Sequence, residues 1–182
     1  MKKSTRLMTV LGASGLLAST VLLTGSTSAG AARPVVTSPE LATSQDVVRQ
    51  SSSVVQLSAT GGVPTAVIYQ SLPAGSWVLS ANASLVSWAP SDYTRCNLYV
   101  GDTIVGGATA MVGDPGAGSA GTGTYVATVS LQGAFTSTAD AGVSLRCGHD
   151  RTQTTGGLPY VDPGATLWAH RSDGLGLAKR GR

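Results

Sequence analysis

The chain is short of charge, of large rings and of cysteine. Charged residues make up 12% of its 182 positions, against about 25% in an average soluble domain. Phenylalanine occurs once, aromatic residues total 5%, and Cys96 and Cys147 are the two cysteines. Two cysteines so far apart form neither a Cys-x-x-Cys redox pair nor the four-ligand spacing of a structural zinc site. Helical periodicity long enough to supply crossover helices is also missing, which excludes parallel crossover folds.

The little charge present is unevenly placed. Lys2, Lys3 and Arg6 precede a largely apolar run from Leu7 to Leu23, followed by the small-residue stretch Thr24–Ala32. This three-part order predicts a signal peptide over residues 1–32, cleaved after Ala29, Ala31 or Ala32. A retained membrane anchor is the rival. The run is broken by Gly12, Ser14, Gly15, Ser19 and Thr20, and falls short of the about 20 apolar residues of a spanning helix. All acidic residues follow the leader, so the chain from Arg33 onward carries nine acidic and nine basic residues. The pI near 9.1 therefore belongs to the precursor. A secreted, neutral domain without a basic stripe is expected to bind no nucleic acid and to span no membrane after cleavage.

What is abundant is glycine, at 24 residues, with many Ser, Thr, Ala and Val. Such a composition favours short strands and turns. Residues 33–53 lack a core stripe and are expected to be a linker or loosely docked arm. From Val54 the pattern alternates: strands are expected over Val54–Leu57, Thr65–Tyr69, Trp77–Trp88, Arg95–Val100, Thr103–Val112, Tyr125–Leu131, around Val143–Cys147, and over Ala165–Arg171. In the clearest of them Leu79, Ala81, Ala83 and Leu85 share one face, with a bulge or edge near Val86. Cys96, Leu98 and Val100 point inward and Arg95, Asn97 and Tyr99 outward; Tyr125, Ala127, Val129 and Leu131 share a face. The fold expected over 54–171 is an antiparallel β-sandwich of about eight strands, jelly-roll-like. Residues 172–182 form a basic tail expected to be mobile.

Cys96 and Cys147 both fall on inward strand positions. In an exported chain they are expected to form a disulfide, worth about 4 kcal/mol by closing the long loop between them. The densest polar cluster is His149, Asp150 and Arg151. With His170, Asp162 and a serine it makes a nominal hydrolase triad, but the favoured reading is a polar strand-end turn over Gly148–Arg151, with Asp150 accepting backbone hydrogen bonds and Arg151 as a charge partner. Gly116–Gly121 matches the dinucleotide fingerprint by letter but lacks the strand-turn-helix setting. The isolated aspartates Asp102, Asp114, Asp140, Asp150 and Asp162 lack the close acidic spacing of a calcium loop and read as turn formers, so no metal and no cofactor is expected. Asn82-Ala-Ser84 is a glycosylation sequon, placed mid-strand. Trp77, Trp88, Trp168, Tyr93, Tyr99 and Tyr160 are the candidate ligand-binding aromatics, either stacking on sugar rings or plugging the ends of the core.

The run Leu72-Pro-Ala-Gly-Ser-Trp77 leading into a long strand, then Cys96-Asn-Leu98, Ala127–Gly133 and Val143–Cys147, resembles small secreted bacterial (actinobacterial-type) jelly-roll proteins. Over Val54–Arg171 the order of elements is also similar to the complement-globular-head and tumour-necrosis-factor-like jelly roll. That resemblance implies a recognition or assembly domain, often trimeric, and supplies no catalytic residues. The leading expectation is a non-catalytic sandwich that meets an extracellular protein, a glycan or an envelope component. The alternatives are a small extracellular hydrolase using His149 or His170 and a carbohydrate-binding module using surface Trp and Tyr.

Overall fold

The computed structural model describes residues 45–116, 118–154 and 157–172. The leader, residues 33–44 of the expected arm and the tail from 173 lie outside the described residues. Ten strands follow one another: β1 (Asp46–Gln50), β2 (Val55–Gln56), β3 (Thr65–Leu72), β4 (Gly75–Val86), β5 (Asp92–Val100), β6 (Thr103–Val112), β7 (Val126–Ser137), β8 (Ala141–His149), β9 (Tyr160–Val161) and β10 (Thr166–Ser172).

They build two antiparallel sheets. One is four strands wide in the order β3-β8-β5-β6. In the other, β7 pairs along the whole of β4. The remaining edge of β4 is shared by β10 and β9, which are paired in turn by β1 and β2. That sheet is thus also four strands wide, with two of its positions broken in two. Ten strands fill eight positions; β1 and β2 share one and β9 and β10 another, and connections between successive positions cross from one sheet to the other except at the β5–β6 hairpin. This is the order of a jelly roll.

Alternation explains why the two sheets face one another. Leu79, Ala81, Ala83 and Leu85 on β4 are buried against Cys96 and Leu98 on β5 and Val143, Leu145 and Cys147 on β8. Residues of the opposite parity, such as Asn82 on β4 and Arg95 on β5, turn to the outer faces, because a strand's side chains alternate between faces. Trp77 has the parity of Leu79 and is wholly buried, its Nε1–H donating to the Pro73 carbonyl at 3.0 Å. Along one side the sheet edges meet closely: a Cβ on Gly106 of β6 would lie 2.0 Å from the Gln132 carbonyl oxygen of β7. Only glycine permits that approach.

The disulfide joins Cys96 to Cys147, which stand opposite each other in the β5–β8 register. Several boundaries move from expectation. The Val54–Leu57 strand shrinks to two residues, while the expected loop after Arg151 contributes β9 by pairing with β4 and β2. Part of the N-terminal arm, Asp46–Gln50, lies as an edge strand on β10. The β4–β7 register runs unbroken to Val86, so no bulge occurs there; the irregularities fall at Ala66/Ile68 and Leu98/Tyr99. Tyr125 precedes β7, beyond the reach of its alternation, and is exposed rather than inward, its ring 4.9 Å from that of Trp88.

Candidate functional site

The outer face of the β3-β8-β5-β6 sheet gathers the most varied chemistry. On β5 the outward positions are Tyr93, Arg95, Asn97 and Tyr99. Register sets Asn97 between Arg146 of β8 and Gly107 of β6, and Arg95 between Gly148 and Thr109. Gly148 has no side chain, and the loop before β3 passes close over it, with the Val63 carbonyl 2.9 Å from where a Cβ would sit. The result is a notch of about 70 Å³ with Gly62 and Pro64 on one side and Asn97 and Tyr99 on the other, and with Arg95 and Asp150 beside them. The notch has room for small polar groups such as waters.

Its walls are fixed by their own contacts. Arg95 donates twice to Asp150, from Nε to Oδ1 at 2.8 Å and from Nη2 to Oδ2 at 2.6 Å. These hydrogen bonds hold the Asp150 carboxyl below the usual carboxylate range, against a weaker opposing effect of partial burial. The same hydrogen bonds raise the Arg95 guanidinium above its ordinary value. Arg146 stacks on Tyr99, 4.4 Å from the ring centroid. It is held there by donating to Ser144 Oγ and to the Gly101 carbonyl, each at 2.8 Å. The Asn97 side chain has no hydrogen-bond partner among the described residues, and its Oδ1 overlies Gly107. Tyr69 and Tyr93 flank this group, exposed. A clamped ring, an unengaged amide and a fixed carboxylate–guanidinium fork can together meet the apolar face and the hydroxyls of a sugar-like ring.

The histidines are not brought together. His149 is buried inside the sandwich, and its Nε2 meets the Ser58 carbonyl at 2.6 Å. A carbonyl only accepts, so Nε2 is the donor. His149 Nδ1 then faces Asp92 Oδ2 at 3.8 Å and has no hydrogen-bond partner. Ser58 offers this imidazole its backbone and not a hydroxyl nucleophile. His170 stands on the other sheet, with Nδ1 2.8 Å from Asp46 Oδ1. The carboxylates that meet the imidazoles are therefore Asp92 and Asp46; Asp162, named for the paper triad, bonds through its backbone to Ser84. Asp150 pairs with Arg95 rather than capping a turn. Arg151 donates its backbone N–H to Asp92 and a guanidinium N–H to the Gly118 carbonyl.

The six candidate aromatics likewise divide. Trp77 is core, which removes it from any surface. Trp88 stands exposed beside Tyr125 at one end of the sandwich, Trp168 lies on the outer face of the β4 sheet, and Tyr160 is half-buried. Only Tyr93 and Tyr99 share a face with Asp150. Tyr69, Asn97 and Arg146, which complete that face, were not singled out in sequence. The parity of β5 already turned Asn97 outward, but nothing local placed Arg146 and Gly148 beside it. Within Gly116–Gly121, residue 117 lies outside the described residues, and the segment connects β6 to β7.

No family model matches the chain, and no curated protein matches it. The resemblance to secreted bacterial and complement-like proteins therefore gains no sequence support; the jelly roll itself stands. Among solved structures, the chain is similar to one in the structure of infectious bursal disease virus Gx strain at 13% identity and a TM-score of 0.45, over 72% of this chain and 34% of that one. It thus spans about a third of that viral chain's length. The CBM36-1 domain of a multidomain xylanase from the hindgut metagenome of Trinervitermes trinervoides matches at 11% identity and a TM-score of 0.35, over 72% of this chain and all of that one. The extra small virus of Macrobrachium rosenbergii matches at 14% identity and a TM-score of 0.29, over 82% of this chain and 95% of that one. Likenesses this distant carry no functional argument.

Proposed function

We propose that the chain is a secreted, non-catalytic jelly-roll domain that recognises a hydroxyl-rich ligand, a glycan outside the cell, on the outer face of the β3-β8-β5-β6 sheet. The observation that carries this reading is Tyr99, clamped by Arg146, beside the unengaged amide of Asn97 and the Arg95–Asp150 fork. Preorganised polar groups around an aromatic ring lower the ordering cost of binding. The leader supports export, and a disulfide is the state expected in an oxidising compartment.

The test is a glycan array probed with the secreted full-length product, alongside Asn97→Ala and Tyr99→Ala. Loss of one hydrogen bond or one ring stack is worth about 1 kcal/mol, so each variant is expected to bind about three- to tenfold more weakly at unchanged melting temperature. Unaltered binding in both variants would remove the groove. Turnover of an ester, peptide or glycoside that is abolished by His149→Ala or His170→Ala would overturn the non-catalytic reading.

A further inference from the structure

The outer face of the β4 sheet carries a second surface of different make-up. Register lines up Val48, Trp168, Ser80 and Gln132 in one row across β1, β10, β4 and β7. The row on one side contains Thr166, Asn82 and Ser130; the row on the other contains Asp46, His170 and Val78. Trp168 is 38% exposed and Val48 62%. The His170 ring lies 5.6 Å from the Trp168 ring and is tied to Asp46. The side chains of Ser80, Gln132, Thr166, Asn82 and Ser130 make no hydrogen bond to another described residue. Rows are about 7 Å apart along the strands and strands about 4.8 Å apart. The indole therefore stands among amide and hydroxyl groups without partners among the described residues.

Charge decides among occupants. Arg49 and Arg171 take the opposite parity, opposite Leu167 and Trp77, and Asp46 is matched by His170. These three rows thus offer no cluster of cations for a phosphate polymer or an anionic bilayer. A stable protein partner needs about 800 Å² per side with an apolar centre, whereas Val48 and Trp168 are the large apolar side chains exposed here. One exposed indole among neutral donors and acceptors fits the C–H face and hydroxyls of uncharged sugar rings.

We propose that this face binds a neutral polysaccharide strand, independently of the groove on the opposite sheet. The two outer faces point away from each other, so a domain occupied on both bridges two strands; that consequence alone rests on the groove reading. Full-length secreted protein is run in native gels containing hydroxyethylcellulose, xylan or mannan, with polygalacturonate as the charged control. Trp168→Ala and an Asn97→Ala/Tyr99→Ala double variant are compared with wild type. Retardation of wild type by a neutral polymer, weakened about tenfold by Trp168→Ala and retained in the double variant, is expected. Retardation lost only in the double variant sinks this face and keeps the groove. Retardation lost only in Trp168→Ala keeps this face and shows only that the groove does not take that polymer, the glycan array being the test of the groove itself. No retardation by any neutral polymer, retardation by polygalacturonate alone, or a wild-type dimer in sedimentation that Trp168→Ala dissociates would each overturn the proposal.

Discussion

Replacing Cys96 and Cys147 by alanine tests the fold and the groove together. The two residues are wholly buried and opposite one another on β5 and β8, and they close a loop with a sequence separation of 51. Loop-closure entropy for that separation gives about 4 kcal/mol of stabilisation. Domains of this size have only about 5–15 kcal/mol in total, so the variant is expected to remain folded with a thin margin. With a urea slope of about 2 kcal/mol/M the midpoint falls by about 2 M. Urea titrations followed by fluorescence, on oxidised protein, on protein refolded under reductant and on the double variant, measure this directly. Reduced protein and double variant should agree. The groove should respond beyond the stability loss, since Arg95 and Asn97 flank Cys96, and Gly148 follows Cys147. Under conditions where the variant is fully folded, glycan binding on that sheet should weaken while Trp168-dependent binding persists. A midpoint shift under about 0.5 M would refute the loop-entropy reasoning. Equal loss on both faces would refute the assignment of the bond to the groove walls.

Two further outcomes follow from the same geometry. Trp77→Ala should cost about 3–5 kcal/mol, whereas exposed Trp88→Ala should cost about 1 kcal/mol at most through its stack on Tyr125; paired thermal melts separate them, and similar losses would contradict the burial of Trp77. Asp150 has a folded-state pKa lowered chiefly by the hydrogen bonds from Arg95. Its stabilising contribution is therefore full above its unfolded value and lost as pH falls through the folded one. Wild type should lose more stability than Asp150→Asn between neutral pH and the acid side of the carboxylate range, by a small, salt-screened amount. Parallel pH profiles for the two proteins would count against the pair.

Parity was the legible part of this molecule. Leu79, Ala81, Ala83 and Leu85 could be assigned to one dry face because each strand has one buried and one wet side. The same rule turned Cys96 and Cys147 inward and Asn97 and Tyr99 outward. It also contained the answer for Trp77, which shares the parity of Leu79 and so takes the core alternative. Trp88 and Tyr125 lie just beyond strand ends, where alternation no longer applies, so their stack was invisible. The strand fragments β2 and β9 were illegible because two residues carry no period. They exist only because the free edge of β4 beyond β10 supplies hydrogen-bond partners.

The amino-acid sequence by itself determined which side of each strand meets water, and with it the sandwich and the inward placement of both cysteines. Those preferences are local, set by side chains alternating along a single strand. Only the tertiary structure decided that Gly148 leaves a notch beside Asn97, that Arg146 clamps Tyr99, and that Val48, Trp168, Ser80 and Gln132 stand in one row. Each of these comes from pairing between strands distant in sequence. Pairing is fixed by the joint fit of two sheets, with approaches as close as Gly106 to Gln132, and alternation within any one strand carries no record of its neighbours.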